Sequence, residues 1–183
     1  MSTFGSELDG FGLFGTSIYN PRELTNNCVF VTIAYLLGMN ADQLAAKIEH
    51  EREHEANKGV SLEELYQMLE YHGITGSGYV MRLTVQRIHG CFDGSANVCG
   101  IAYQRPNGTA HCATVRQIAR DKLHPHGLQF VCYQKSTDGL DVTEDSQQSR
   151  NTMLFKLTQN GFVYFGRRAG LQRLGTMTQS MYE

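Results

Sequence analysis

Two residues in this chain, Cys28 and His111, are of types that could do chemistry together. Cys28 is one of five cysteines, the others being Cys91, Cys99, Cys112 and Cys132. It follows Asn26-Asn27 and opens the apolar run from Val29 to Leu37. At the first turn of a helix, unpaired N–H groups and the dipole favour an anion, so a thiol placed there is expected to ionise readily. A nucleophilic thiol also needs a group to carry its proton. His111 is the natural base. It follows the turn Arg105-Pro106-Asn107-Gly108 and sits between Ala110 and Ala113, whose small side chains leave room for a substrate. A third group usually orients such a base. If residues 121–127 connect two antiparallel strands, Gln134 and Asp138 return opposite His111. A carboxylate there would stabilise the imidazolium, whereas an amide would only orient the ring. Cys112 adjoins His111 but should face the other way along a strand. With Cys91, Cys99 and Cys132 it reads as structural, since free cysteines are among the most buried residues.

Two other motifs invite chemistry. His50-Glu51-Arg52-Glu53-His54 has the His-Glu-x-x-His spacing of zinc peptidases, with both imidazoles on one helical face. Charges inside and around it, at Glu49, Arg52, Glu53 and Glu55, suit a solvated face better than a buried metal site. A zinc hydrolase through His50, Glu51 and His54 is therefore kept only as an alternative. Residues 10–15 satisfy Gly-x-Gly-x-x-Gly but have no strand before them, so the dinucleotide-binding context is missing. No cofactor is expected. His124 and His126 lie in a Pro-Gly turn and are expected to be solvated; His72 and His89 carry no spacing signal.

These residues need elements to hold them. The chain has 183 residues, 41% of them hydrophobic, enough for one domain with a core. A net charge of -2, without a basic run interleaved with aromatics, points away from nucleic acid. No stretch approaches the ~20 apolar residues of a membrane span, and the first residues lack a secretory pattern. An odd cysteine count without Cys-x-x-Cys spacing suits free thiols in a reducing, cytoplasmic setting, with export as an effector still compatible. Residues 1–22 read as an irregular Gly- and aromatic-rich arm. A buried central helix is predicted from Thr25-Asn26-Asn27 to Gly38, and a second from Asn40. A third opens at the Ser61/Glu64 capping box and ends at Gly73. Strands are predicted over 80–83, 97–103, 110–119 and 128–134, with a hairpin of 154–157 and 162–165 across Asn160-Gly161. Residues 143–151 read as a mobile polar loop, and 167–183 as a partly ordered tail. Helices followed by an antiparallel sheet make an α+β fold in a single domain spanning 1–183.

This order resembles the papain-like cysteine hydrolase superfamily. Asn27-Cys28-Val29-Phe30 and Leu37-Gly38-Met39-Asn40-Ala41 look similar to papain-fold toxin and effector deamidases. Gly59-Val60-Ser61-Leu62-Glu63-Glu64-Leu65 looks similar to a helix of bacteriocin leader peptidases. The resemblance spans Pro21 to Asp138. It implies cleavage or deamidation of a peptide or protein amide through a thioester, with Cys28 attacking and His111 moving the proton. It also implies an oxyanion site made by the Cys28 N–H with Asn26 or Asn27. Those families usually carry Asp or Asn at the third position, often followed by Gln. This chain reads Phe130-Val131-Cys132-Tyr133-Gln134-Lys135 there, which leaves Gln134 or Asp138 as substitutes. An acyl transferase using the same dyad, or an inactive papain-like binding or regulatory module, would share the pattern.

Overall fold

A computed structural model describes residues 17–48, 59, 64, 69–70, 73–94, 97–159, 161–166 and 177–180. The predicted arm before Ser17, the His-Glu-x-x-His segment and the Ser61 start of the third helix lie outside them. The elements in chain order are α1 (Cys28–Leu37), α2 (Ala41–Ile48), β1 (Thr75–Val80), α3 (Val85–Gly90), β2 (Cys99–Gln104) and β3 (Ala110–Gln117). Then come β4 (Leu128–Cys132), β5 (Leu140–Asp141), α4 (Thr143–Gln147), β6 (Arg150–Thr158), β7 (Gly161–Gly166) and β8 (Met177–Ser180). The fold is α+β. No single helix among the described residues is long and apolar enough to cross a membrane.

The β-branched run of Val29, Val31, Thr32 and Ile33 could equally have made a strand. It becomes a helix because its ends suit one. Gly38 takes φ 73° and closes the last turn, with its N–H on Tyr35 O and the Met39 N–H on Ala34 O. Phe30, Ile33 and Ala34 are fully buried, as expected for a central helix. Asn40 and Gln43 form a reciprocal capping box that starts α2, each side chain accepting from the other's backbone N–H.

The strands form one sheet in the order β5-β4-β3-β2-β6-β7-β1-β8. The sheet is mixed rather than antiparallel, because β1 runs parallel to both β7 and β8. Strand sense at this edge follows from how the chain re-enters the sheet, a non-local event without a residue pattern. One face packs on α1 and α2 through Cys112, Val131, Tyr133, Met153 and Phe155. The other, lined by Ile101, Tyr103, Val115, Phe130 and Leu154, is covered by Met81, Leu83 and Ile88.

Residues 143–151, expected to be a mobile loop, contain α4 and the start of β6. The chain leaves the sheet at its β5 edge and returns beside β2, so α4 crosses the face opposite α1. Thr143 Oγ1 accepts the Phe130 N–H at 3.0 Å, and the Val142 N–H donates to Phe130 O at 2.7 Å, which ties the crossing to β4.

His124, expected to be solvated, is 7% exposed. Its Nδ1 lies 2.9 Å from Asp121 Oδ1 and its Nε2 lies 2.6 Å from Asp141 Oδ2. The hydrogen bond to Asp141 raises its pKa, against a smaller effect of burial and together with Asp121. A raised folded-state pKa contributes stability that is complete below the unfolded value of about 6.5 and lost as pH rises through the folded value. His124→Gln should therefore lower the urea midpoint at pH 6, and its gap to wild type should shrink towards pH 9. A gap that stayed constant across that range would show that the imidazolium contributes nothing.

Candidate active site

α1 begins where β3 and β4 part. The register of those strands ends at Thr114↔Val131, while β3 continues back to Ala110. The Cys28 sulfur lies beside this part of β3, faced by the backbone N–H groups of Cys112, Val29 and Cys28 itself. Asn27 is the N-cap residue, yet its side chain makes no cap hydrogen bond. The first N–H groups of α1 are thus left to the thiol.

The Asn27 side chain is used elsewhere. Its Nδ2 donates to Asn20 Oδ1 at 2.9 Å, and its Oδ1 accepts from Gln134 Nε2 at 2.9 Å. Asn20 Nδ2 donates to Leu24 O and to Gln134 O, both at 2.9 Å. Asn20 and Asn27 are 1% and 2% exposed. This knot pins the approach to Cys28 against the chain leaving β4. Gln134 therefore holds the Cys28 loop and does not orient His111. Asn27 is a buried scaffold residue, with one Nδ2 proton and its Oδ1 committed to Asn20 and Gln134. Asn26 is exposed, and a Cβ placed on Gly59 would lie 3.4 Å from its side-chain amide. Asp138 is exposed in the turn after β4, its N–H on Ser136 Oγ, and no hydrogen bond joins it to His111 among the described residues.

His111 pairs in register with Tyr103, so the two side chains share a face, with ring centroids 5.7 Å apart. Cys112 points the other way, its thiol against the Thr32 hydroxyl of α1. No hydrogen bond joins Cys28 to His111 among the described residues. The sulfur instead meets the backbone N–H of the residue that follows His111.

A charged group missed in the sequence completes the site. Asp145, on α4, accepts a hydrogen bond from the Tyr103 hydroxyl at 2.7 Å and a bifurcated one from Arg105 Nε, at 3.0 Å to each carboxylate oxygen; Arg105 Nη2 lies 2.8 Å from Oδ2. The hydrogen bonds from Arg105 are the main cause holding the Asp145 carboxyl below its usual range. The charges of Arg105 and Asp145 both reach His111, and that of Arg105 also reaches Cys28. Thr143-Glu144-Asp145 could have signalled this helix start, since acidic residues favour a first turn. Arg105 was legible only as part of a turn, and Asn20 carries no spacing signal in the sequence.

Burial overrides the helix-start effect on the thiol. It pushes the Cys28 pKa up, and the three N–H groups and Arg105 only partly offset it. Burial also pulls His111 down to about 4, helped by Arg105 and opposed by Asp145. At neutral pH the Cys28 thiol and the His111 imidazole are both uncharged, rather than an ion pair. Among the five free thiols, Cys28 is half-buried and the other four are buried. Burial drives Cys91 and Cys132 up to about 11 and Cys99 to about 12.

No group of three or more His, Cys, Asp or Glu residues that could hold a metal occurs among the described residues. In comparisons with known proteins, no family model, no curated protein and no solved structure matches this chain.

Proposed function

We propose that the chain is a papain-like thiol hydrolase acting on an amide of a peptide, protein or glutamine side chain. The observation that carries this is the half-buried Cys28 thiol at the start of α1, faced by three backbone N–H groups and set against the His111–Cys112 backbone. In this mechanism Cys28 Sγ attacks the amide carbon as its proton passes to His111. The carbonyl oxygen becomes an oxyanion held by N–H groups at the α1 start. Collapse breaks the C–N bond, His111 returns the proton to the departing amine or ammonia, and a thioester remains on Cys28. Water, deprotonated by His111, then releases the acid and restores the thiol. Asp145 acts on His111 by its charge and through Tyr103 and Arg105, so it is a positioning residue. An amine replacing water at the second step would make the protein an acyl transferase.

The test is acylation by p-nitrophenyl acetate, read as a burst of p-nitrophenol with peptide mapping of the adduct. Wild type should give a burst of at most one equivalent with the acetyl group on Cys28. Cys28→Ala should give no burst, and His111→Ala should slow it about 100-fold, within the range of lost general-base catalysis. An adduct elsewhere, an unchanged burst in Cys28→Ala, or wild-type acylation in His111→Ala would defeat the proposal. Such a result would leave a non-catalytic binding module, a class favoured by the absence of a Cys28–His111 hydrogen bond.

A further inference from the structure

His124 lies in the connection between β3 and β4, while Asp141 lies in β5, at the edge of the sheet. Both ring nitrogens of His124 face carboxylate oxygens, Nδ1 that of Asp121 in the same turn and Nε2 that of Asp141. A neutral imidazole carries one N–H, so only the imidazolium donates to both. These two carboxylates are the charged groups that act on the ring; Lys122 and His126 flank it in the turn and are exposed. Asp121 Oδ1 also accepts the N–H groups of Leu123 and His124, at 2.9 and 2.7 Å, so it holds the turn whatever the state of the ring. The contact with Asp141 is the one that reaches another element.

Asp141 passes this tie on to α4. Its Oδ1 accepts the N–H of Thr143, the first residue of the helix, at 2.9 Å. Its Oδ2, which meets His124, also accepts from Gln129 Nε2 at 3.1 Å. α4 has five residues, and its N-cap residue Val142 makes no side-chain cap. A helix that short does not hold itself, so its start depends on the Asp141 carboxylate and on the bonds to Phe130. α4 in turn carries Asp145, which bonds Tyr103 and Arg105 by His111. We propose that His124 is a proton-operated latch on α4 and, through Asp145, on the Cys28–His111 site. Protonated, the ring closes the 121–127 turn onto β5 and fixes the carboxylate at the start of α4. Deprotonated, it keeps one N–H for two carboxylates and its charge no longer offsets theirs, so the turn, β5 and α4 loosen together. The hydrogen bond with Asp141, joined by Asp121 and opposed by burial, raises the pKa of the ring. The latch therefore stays closed above the ordinary histidine value of about 6.5 and opens as pH rises further. Its effect on acylation rests on the reading of Cys28 as nucleophile; the latch itself does not.

Hydrogen exchange of the full chain, read by mass spectrometry from pH 6 to pH 9 and corrected for the intrinsic rate, tests the latch. Residues 121–127 and 140–147 are followed, with β2 as reference. In wild type both segments should lose protection about tenfold over this range, the effect of weakening one charge-assisted bond, while β2 keeps its own. His124→Gln should show the low protection already at pH 6, without pH dependence. Asp121→Asn leaves Asp141 intact and should move the wild-type transition to lower pH, which keeps the test decisive if His124→Gln does not fold. In parallel, p-nitrophenyl acetate should acylate His124→Gln about threefold more slowly than wild type at pH 6, a coupling at the low end for linked sites, and equally at pH 9. Protection that does not change with pH, a fall shared equally by β2, or the wild-type transition persisting in His124→Gln would overturn the latch. Equal acylation of wild type and His124→Gln at pH 6 would overturn its link to the site. If Cys28 is not acylated at all, the thiol-hydrolase reading fails while exchange still decides the latch.

Discussion

Asn20→Leu is expected to destabilise the protein by about 3 kcal/mol, from several hydrogen bonds near 1 kcal/mol each, and to slow acylation of Cys28. Asn20 uses both ends of its amide. It donates to Leu24 O and Gln134 O and accepts from the Asn27 amide and, at 3.3 Å, from the Leu24 N–H. Leucine keeps a similar volume but strands these partners at a site where Asn20 is 1% exposed. Leu24 O retains one weak donor, Gln134 Nε2 at 3.4 Å, so the loss falls short of four full bonds. The same residues hold Asn27 away from capping α1 and so leave the N–H groups beside Cys28 free. Urea titration of wild type and variant, with the p-nitrophenyl acetate burst measured in parallel, checks both halves. A stability loss under about 1 kcal/mol, no more than one ordinary hydrogen bond, would show that the knot is not a unit.

The second large effect is a response to acid. His111 is held neutral down to about pH 4 in the native state, while the unfolded chain protonates it near its ordinary value of about 6.5. Below that value the unfolded state binds more protons, so stability falls as pH falls and the loss is complete below the native pKa. The full difference corresponds to about 3 kcal/mol; with the ring partly exposed and solvent-screened, about 2 kcal/mol is expected. Urea midpoints at pH 7 and pH 4 for wild type and His111→Gln isolate it. Wild type should lose about 2 kcal/mol more than the variant over that interval. Equal losses would mean that His111 titrates normally. The same depressed pKa moves the acid limb of Cys28 acylation to about pH 4, well below the usual histidine range.

Much of the scaffold was legible because its signals are local. The apolar run after Asn27, closed by Gly38, marks a helix whichever residues later surround it. The Pro-Asn-Gly turn marks the β2–β3 hairpin, and the Asn160-Gly161 pair marks the β6–β7 hairpin. Cys28 stood apart from four other cysteines by its place at a helix start, and it is the half-buried thiol among them. The opposed directions of His111 and Cys112 followed from strand alternation alone. Residues 143–151 were misread because polar side chains dominate them; their helix is short and is held by its contacts with β4. His124 was misread for a related reason, since a Pro-Gly turn looks solvated until Asp121 and Asp141 close on the ring.

The sequence by itself determined the helix that carries Cys28, the strand that carries His111 and the order in which they occur. Tertiary structure decided which polar groups meet them and in what charge state. Gln134 faces Asn27 and Asn20 because β4 parts from β3 before reaching the level of His111. Asp145 takes its place by His111 because α4 crosses from one sheet edge to the far side of β2. The neutral thiol and neutral imidazole at Cys28 and His111 follow from burial, which outweighs the helix-start N–H groups. Desolvation depends on every atom packed around a group, and no residue spacing along the chain encodes that sum.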